Sequence, residues 1–130
     1  RTCGGKIIFP GDAHDNTWEY VLDNHPDLVE NCAVLIAPHH GRDSDRSFDF
    51  LDVLNPKLTL FGCAKSEHLA YDEWNRRNLT HITNNQAGNI LLNGTNEGIE
   101  VYVENLSYAS KFEGFDSFKK LYECVFIGVV

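Results

Sequence analysis

Three short apolar runs, each closed by proline or glycine and each followed by polar residues, limit what this chain can become. Lys6 to Phe9 stops at Pro10-Gly11, Ala33 to Ala37 stops at Pro38, and Leu58 to Cys63 carries Gly62 near its end. Such runs are too short for ordinary helices. The second, Ala33-Val34-Leu35-Ile36-Ala37, has no polar residue and reads as a strand buried on both faces. Between the runs the period changes. Thr17 to Leu22 sets Trp18, Val21 and Leu22 at helical spacing before Asn24-His25-Pro26, and Ser47 to Leu54 is apolar on one helical side before Asn55-Pro56. The loop Gly41 to Arg46 offers N-cap residues for that second helix.

Further along, Tyr71 to Asn75 predicts a short helix. Gly88 to Leu92 and Ile99 to Val103 flank the turn residues Asn93 to Gly98 and predict an antiparallel hairpin. Phe115 to Leu121 has mixed helical spacing, and Cys124 to Val130 is strand-like. The tail Val125 to Val130 is too apolar to end in solvent, so it pairs in the sheet, forms an oligomer contact with another chain, or is an aggregation hazard. Strands alternating with helices, then a hairpin, define an α/β fold class with a mixed sheet and flanking helices, in one domain over residues 1–130.

Composition narrows the function classes. A chain of 130 residues, 42% hydrophobic and 23% charged, is long enough to bury a core and is neither disordered nor collagen-like. Eleven Lys and Arg against 19 Asp and Glu give a net charge of −8, which argues against a broad nucleic-acid or anionic-membrane surface. No stretch approaches the roughly 18 apolar residues of a membrane span. The absence of methionine and the opening Arg1-Thr2-Cys3-Gly4-Gly5 read as a start inside a larger protein, and no signal-peptide apolar region is present. Cys3, Cys32, Cys63 and Cys124 lie far apart, with no C-x-x-C pair. They read as reduced thiols, with Cys32, Cys63 and Cys124 buried beside apolar runs, and they lean toward a cytoplasmic setting.

The chemistry-bearing residues follow strand ends: Gly11-Asp12 after the first, Pro38-His39-His40-Gly41 after the second, and His68 shortly after the third. Loops beyond the carboxyl ends of such strands converge on one edge, so Asp12, His39, His40 and His68 are placed to meet. Carboxylate and neutral imidazole are ligands for zinc-like divalent ions. Adjacent histidines on a strand point to opposite sides, so one of the two would be the ligand. The other reading of the same residues makes Asp12 a helix cap and the histidine pair buried polar residues. His14, His25 and His81 read as surface or capping residues.

The order of four segments carries a resemblance. Ile7-Ile8-Phe9-Pro10-Gly11-Asp12-Ala13, Val34 to Ser44 with its Pro38-His39-His40-Gly41, Phe50 to Leu58 with Asn55-Pro56, and Ser66-Glu67-His68 resemble the second half of a metallo-β-lactamase-fold hydrolase. The nearest branch includes the C-terminal domain of the competence protein ComEC. The resemblance spans about residues 5–75 and implies half of an αββα sandwich. It implies Asp12 as the carboxylate bridging two divalent metal ions, Zn or Mn, and His39 as a metal ligand. It also implies His68 as a proton-donating or substrate-side group, and Arg42, His40 and Ser44 as substrate contacts. Arg42 stands where the family has serine and suits an anionic group; Leu69 stands where it has proline. The family's H-x-H-x-D-H motif does not occur in these 130 residues, so the N-terminal half of the fold is the implied partner. The implied function is a metal-dependent phosphodiesterase or nuclease acting on a small anionic substrate, nucleotide or nucleic-acid end. An acyl or lactam hydrolase and a degenerate, non-catalytic lactamase-like binding module are the alternatives.

Overall fold

The structure, a computed structural model, describes residues 4–130; Cys3 lies outside the described residues. The three apolar runs supply β1 (Ile7–Ile8), β2 (Val34–Ile36) and β3 (Leu58–Phe61). With β4 (His81–Thr83) they form a parallel sheet in the order β1-β2-β3-β4. Parallel neighbours need crossovers, which here contain α1 (Asp15–Asn24), α2 (Pro26–Val29), α3 (Phe50–Leu54) and α4 (Tyr71–Asn75).

Both faces of this sheet are buried, and alternate residues go to different cores. Leu35, Ala37 and Phe61 pack with Trp18, Phe50, Leu51, Leu54 and Trp74 on the helical side. Trp18 stacks on Phe50 at 4.3 Å, and Phe61 meets Trp74 edge-on at 4.7 Å. Thr59 is fully buried among them because its hydroxyl accepts the Trp74 indole N–H at 2.8 Å, so neither polar atom is left unpaired. Val34, Leu58, Leu60 and Ile82 face the other way, against Ile99, Val101, Val103, Val125 and Ile127.

Those last residues belong to a second sheet of β5 (Ile90–Gly94), β6 (Ile99–Val103), β7 (Asp116–Leu121) and β8 (Cys124–Val129), antiparallel throughout, in the order β5-β6-β8-β7. The expected single mixed sheet is therefore corrected to two sheets. In β6, Ile99, Val101 and Val103 alternate with Glu100 and Tyr102, and that apolar side covers the second face of the parallel sheet instead of extending its edge. Two short helices, α5 (Asn84–Ala87) and α6 (Leu106–Ala109), lie beside the crossing; Thr83 and Asn105 cap them through side-chain oxygens. Layers of helix, parallel sheet and antiparallel sheet result.

The predicted hairpin is present. Most of the segment Phe115 to Leu121 is the strand β7 (Asp116–Leu121), not a helix, and it turns through Tyr122, at φ +52°, into β8. Of the uses open to the apolar tail, pairing within the sheet is the one observed, since β8 lies between β6 and β7. Cys32 and Cys124 are buried free thiols, and burial pushes the Cys32 thiol up to about 11. Cys63 is exposed, because β3 ends before it. No helix among the described residues is long and apolar enough to cross a membrane.

Candidate functional site

At the end of β1 the chain turns sharply, with the Ala13 N–H donating to the Pro10 carbonyl at 3.1 Å, and Asp12 stands on that turn. At the end of β2, Pro38–Gly41 forms a tight turn in which His39 (φ 50°), His40 (φ 61°) and Gly41 (φ 83°) are all left-handed. Such backbone costs about 1–2 kcal/mol for each non-glycine residue and persists only where neighbours impose it. Here the His39 N–H donates to the Gly11 carbonyl at 2.9 Å and the Gly62 N–H donates to the His40 carbonyl at 3.2 Å. Gly41 completes the turn against the Phe61 ring, where a Cβ would overlap ring atoms.

The bond from His39 to Gly11 fastens the loop after β2 to the loop after β1. It sets His39 Nδ1 3.9 Å from Asp12 Oδ1, and that nitrogen is buried with no hydrogen-bond partner among the described residues. His14 approaches from the other side, its Nε2 3.9 Å from Asp12 Oδ2. Arg46 makes the short contact: one Nη atom donates to Asp12 Oδ1 at 2.7 Å and the other to the Ala13 carbonyl at 2.9 Å. The Arg46 side chain is 11% exposed and Asp12 is 65% exposed. The Arg46 hydrogen bond, backed by the charges of Arg46, His39 and His14, holds the Asp12 carboxyl below the ordinary carboxylate range. A cavity of about 500 Å³ opens here, lined by Asp12, His39 and His40 with Phe9, Ile36 and Ala37 as its apolar wall.

The structure brings the other predicted residues to the same edge unevenly. His40 is exposed and lies across Gly62. Arg42 pairs through its backbone with Leu69, the Asp43 N–H donates to the His68 carbonyl at 2.9 Å, and the Ala70 N–H donates to the Gly41 carbonyl at 2.9 Å. The loops after β2 and β3 are thus stitched together, with His68 beside Arg42 and Asp43. The His68 ring is exposed, its Nε2 3.5 Å from Glu67 Oε1. Arg42 is exposed and makes no ion pair with a described residue. The Ser44 hydroxyl turns back to the Arg42 carbonyl at 3.5 Å.

Three expectations are corrected. Asp12 does not cap α1, whose N-cap is His14; its carboxylate accepts from Arg46. His39 and His40 are not disposed by strand alternation but by consecutive left-handed backbone, which still turns only one of them to Asp12. His81 is neither a cap nor a free surface residue but part of β4, stacked on Tyr71 at 5.2 Å, whereas His14 and His25 stand at the ends of α1 as expected and His14 in addition flanks Asp12. Arg46 and His14 are the participants that motif reading missed. His14 follows Asp12 by two residues, a spacing that returns side chains to one side in extended backbone. Arg46 carries no local signal, since its partner is 34 residues away.

Carboxylate and imidazole are a suitable donor pair for zinc or manganese, and the orphaned His39 Nδ1 facing Asp12 fits them as two ligands of one ion. Among the described residues no three His, Cys, Asp or Glu side chains are grouped to hold a metal. No family model, curated protein or solved structure matches the chain.

Proposed function

We propose that this chain is the C-terminal portion of a metal-dependent hydrolase of the metallo-β-lactamase type, acting on phosphodiesters. The observation that carries the reading is the buried, unpartnered His39 Nδ1 facing Asp12 Oδ1 at 3.9 Å across neighbouring strand ends. A buried nitrogen without a partner costs about 1–3 kcal/mol, and a ligand at that position relieves the cost. Asp12 and His39 would hold the metal. Zinc sites take about four ligands, so the rest come from the N-terminal half of the fold. When bound, the metal supplies Lewis-acid activation of water.

This chain's own residues do the remaining work. His68 would give or take a proton on the substrate side, and Arg42, exposed and without an ion-pair partner among the described residues, would take an anionic oxygen. The net charge of −8 suits a nucleotide or strand end over a long nucleic-acid groove. Free thiols at Cys32, Cys63 and Cys124 go with a cytoplasmic setting.

The test is metal content and hydrolysis of bis-p-nitrophenyl phosphate and a chromogenic lactam by the full-length gene product and its Asp12→Ala and His39→Ala variants. About two equivalents of zinc or manganese, with diester turnover lost in both variants, are expected for a two-metal site. A stable, metal-free, inactive protein would establish the second reading, a non-catalytic binding module. The salt bridge from Arg46 favours that reading, because it already neutralises Asp12.

A further inference from the structure

Arg46 sits on the same Asp12 oxygen, Oδ1, that faces His39 Nδ1. A guanidinium and a divalent ion on the same carboxylate oxygen repel each other and compete for its negative charge. The pose of Arg46 is nevertheless incompletely satisfied: its Nε is buried and donates to no described residue. The backbone beside it is anchored independently, since the Ser47 N–H donates to the Asp15 carboxylate at 3.0 and 3.2 Å. Rotation of the arginine side chain alone would therefore free Asp12 without moving the loop.

We infer that Arg46 is the resident counter-cation of Asp12, and that a divalent ion held between Asp12 Oδ1 and His39 Nδ1 displaces it from that oxygen. The inference rests on the metal-site reading above. Arg46 is then a positioning residue that holds the empty carboxylate in place and sets the threshold for metal loading.

The experiment titrates the full-length gene product with Mn²⁺ alone, following heat by calorimetry and the paramagnetic broadening of backbone amides. Manganese avoids the exposed thiol of Cys63, which would draw zinc. Loss of a charge-assisted hydrogen bond in Arg46→Gln should tighten Mn²⁺ binding about tenfold or more. Broadening should centre on residues 11–14 and 39–41, Arg46→Lys should fall between wild type and Arg46→Gln, and Asp12→Asn added to Arg46→Gln should abolish the effect. Amide dispersion reports whether each variant is folded, and the lysine variant carries the test if the glutamine variant is not.

Equal affinity in wild type and Arg46→Gln, with the same residues broadened, would overturn the inference and leave the metal reading standing. No site-specific binding in any variant would remove both. Tighter binding in Arg46→Gln by a full-length protein that never cleaves a diester would keep the inference and defeat the hydrolase.

Discussion

Asp12 in the parallel half and Glu100 in the antiparallel half are both carboxylates near cations, and they are held in opposite ways. Glu100, on the outer face of β6, accepts from Lys119 Nζ at 2.5 Å, Asn93 Nδ2 at 2.8 Å and the Tyr102 hydroxyl at 2.9 Å. Lys119 also lies over the Phe126 ring at 4.0 Å. The Glu100 side chain is 16% accessible, and the Lys119 hydrogen bond, followed by those of Asn93 and Tyr102, brings its carboxyl from 4.5 down to about 2. Asp12 is mostly exposed, has one strong donor, and faces two imidazole nitrogens at 3.9 Å, beyond hydrogen-bonding distance. A saturated carboxylate on a sheet face fastens strands together. One at a strand end, with donors gathered but not engaged, keeps capacity for a ligand. The backbone repeats the contrast, with three consecutive left-handed residues, His39 to Gly41, beside Asp12.

The largest effect should come from testing whether the two halves are separate at all. Trp74→Ala empties the helical core and leaves Thr59 unpaired, at a cost of about 3–5 kcal/mol in urea unfolding. Because β3 sends Phe61 to that core and Leu58 and Leu60 to the other, amide protection in β6 should fall together with that in β3. Continued protection of β6 alone would make the antiparallel sheet an independent unit. Next in size is a pair of glycines. Gly41→Ala combines φ +83° with a collision against Phe61 and should cost about 2–4 kcal/mol. Gly128→Ala at φ +153° meets open space and should cost about 1 kcal/mol. Equal costs would mean that the turn beside Asp12 is no more constrained than β8.

What was legible in the sequence follows the range of the forces involved. β2 and β3 announce themselves because burial on both faces leaves unbroken apolar runs, and the β5–β6 hairpin because Asn93 and Gly94 sit between alternating segments. β4 has only His81, Ile82 and Thr83, and its place comes from pairing with β3. β7 was misleading because its large apolar residue, Phe118, is 96% exposed, while Lys119 is turned to Glu100. Asp12 and His39 stand beside residues that end strands and so were readable. Arg46 was not, since the loop that carries it drew notice only for its capping residues and for Arg42 and Ser44, and the role of Arg46 is set by packing across the fold.

Acid titration separates the two carboxylates by smaller effects. A depressed carboxyl contributes stability above its ordinary pKa and loses it as pH falls toward the folded value. Glu100 should therefore give an acid limb between pH 4.5 and about 2, and Glu100→Gln should flatten it in denaturant midpoints measured across that range. The Asp12 carboxyl is also lowered, chiefly by the Arg46 hydrogen bond, so its contribution has the same sign and fades below its ordinary 3.8. Its exposure lets water screen the Arg46 charge, which makes the interaction weaker than its short distance suggests. Asp12→Asn should thus change the acid limb less than Glu100→Gln, while chemical shifts at Arg46 and His39 move because their carboxylate partner is gone. A larger loss of acid-dependent stability in Asp12→Asn would reverse the comparison: Asp12 would be the fastening between the first two strand-end loops, and Glu100 the carboxylate the fold can spare.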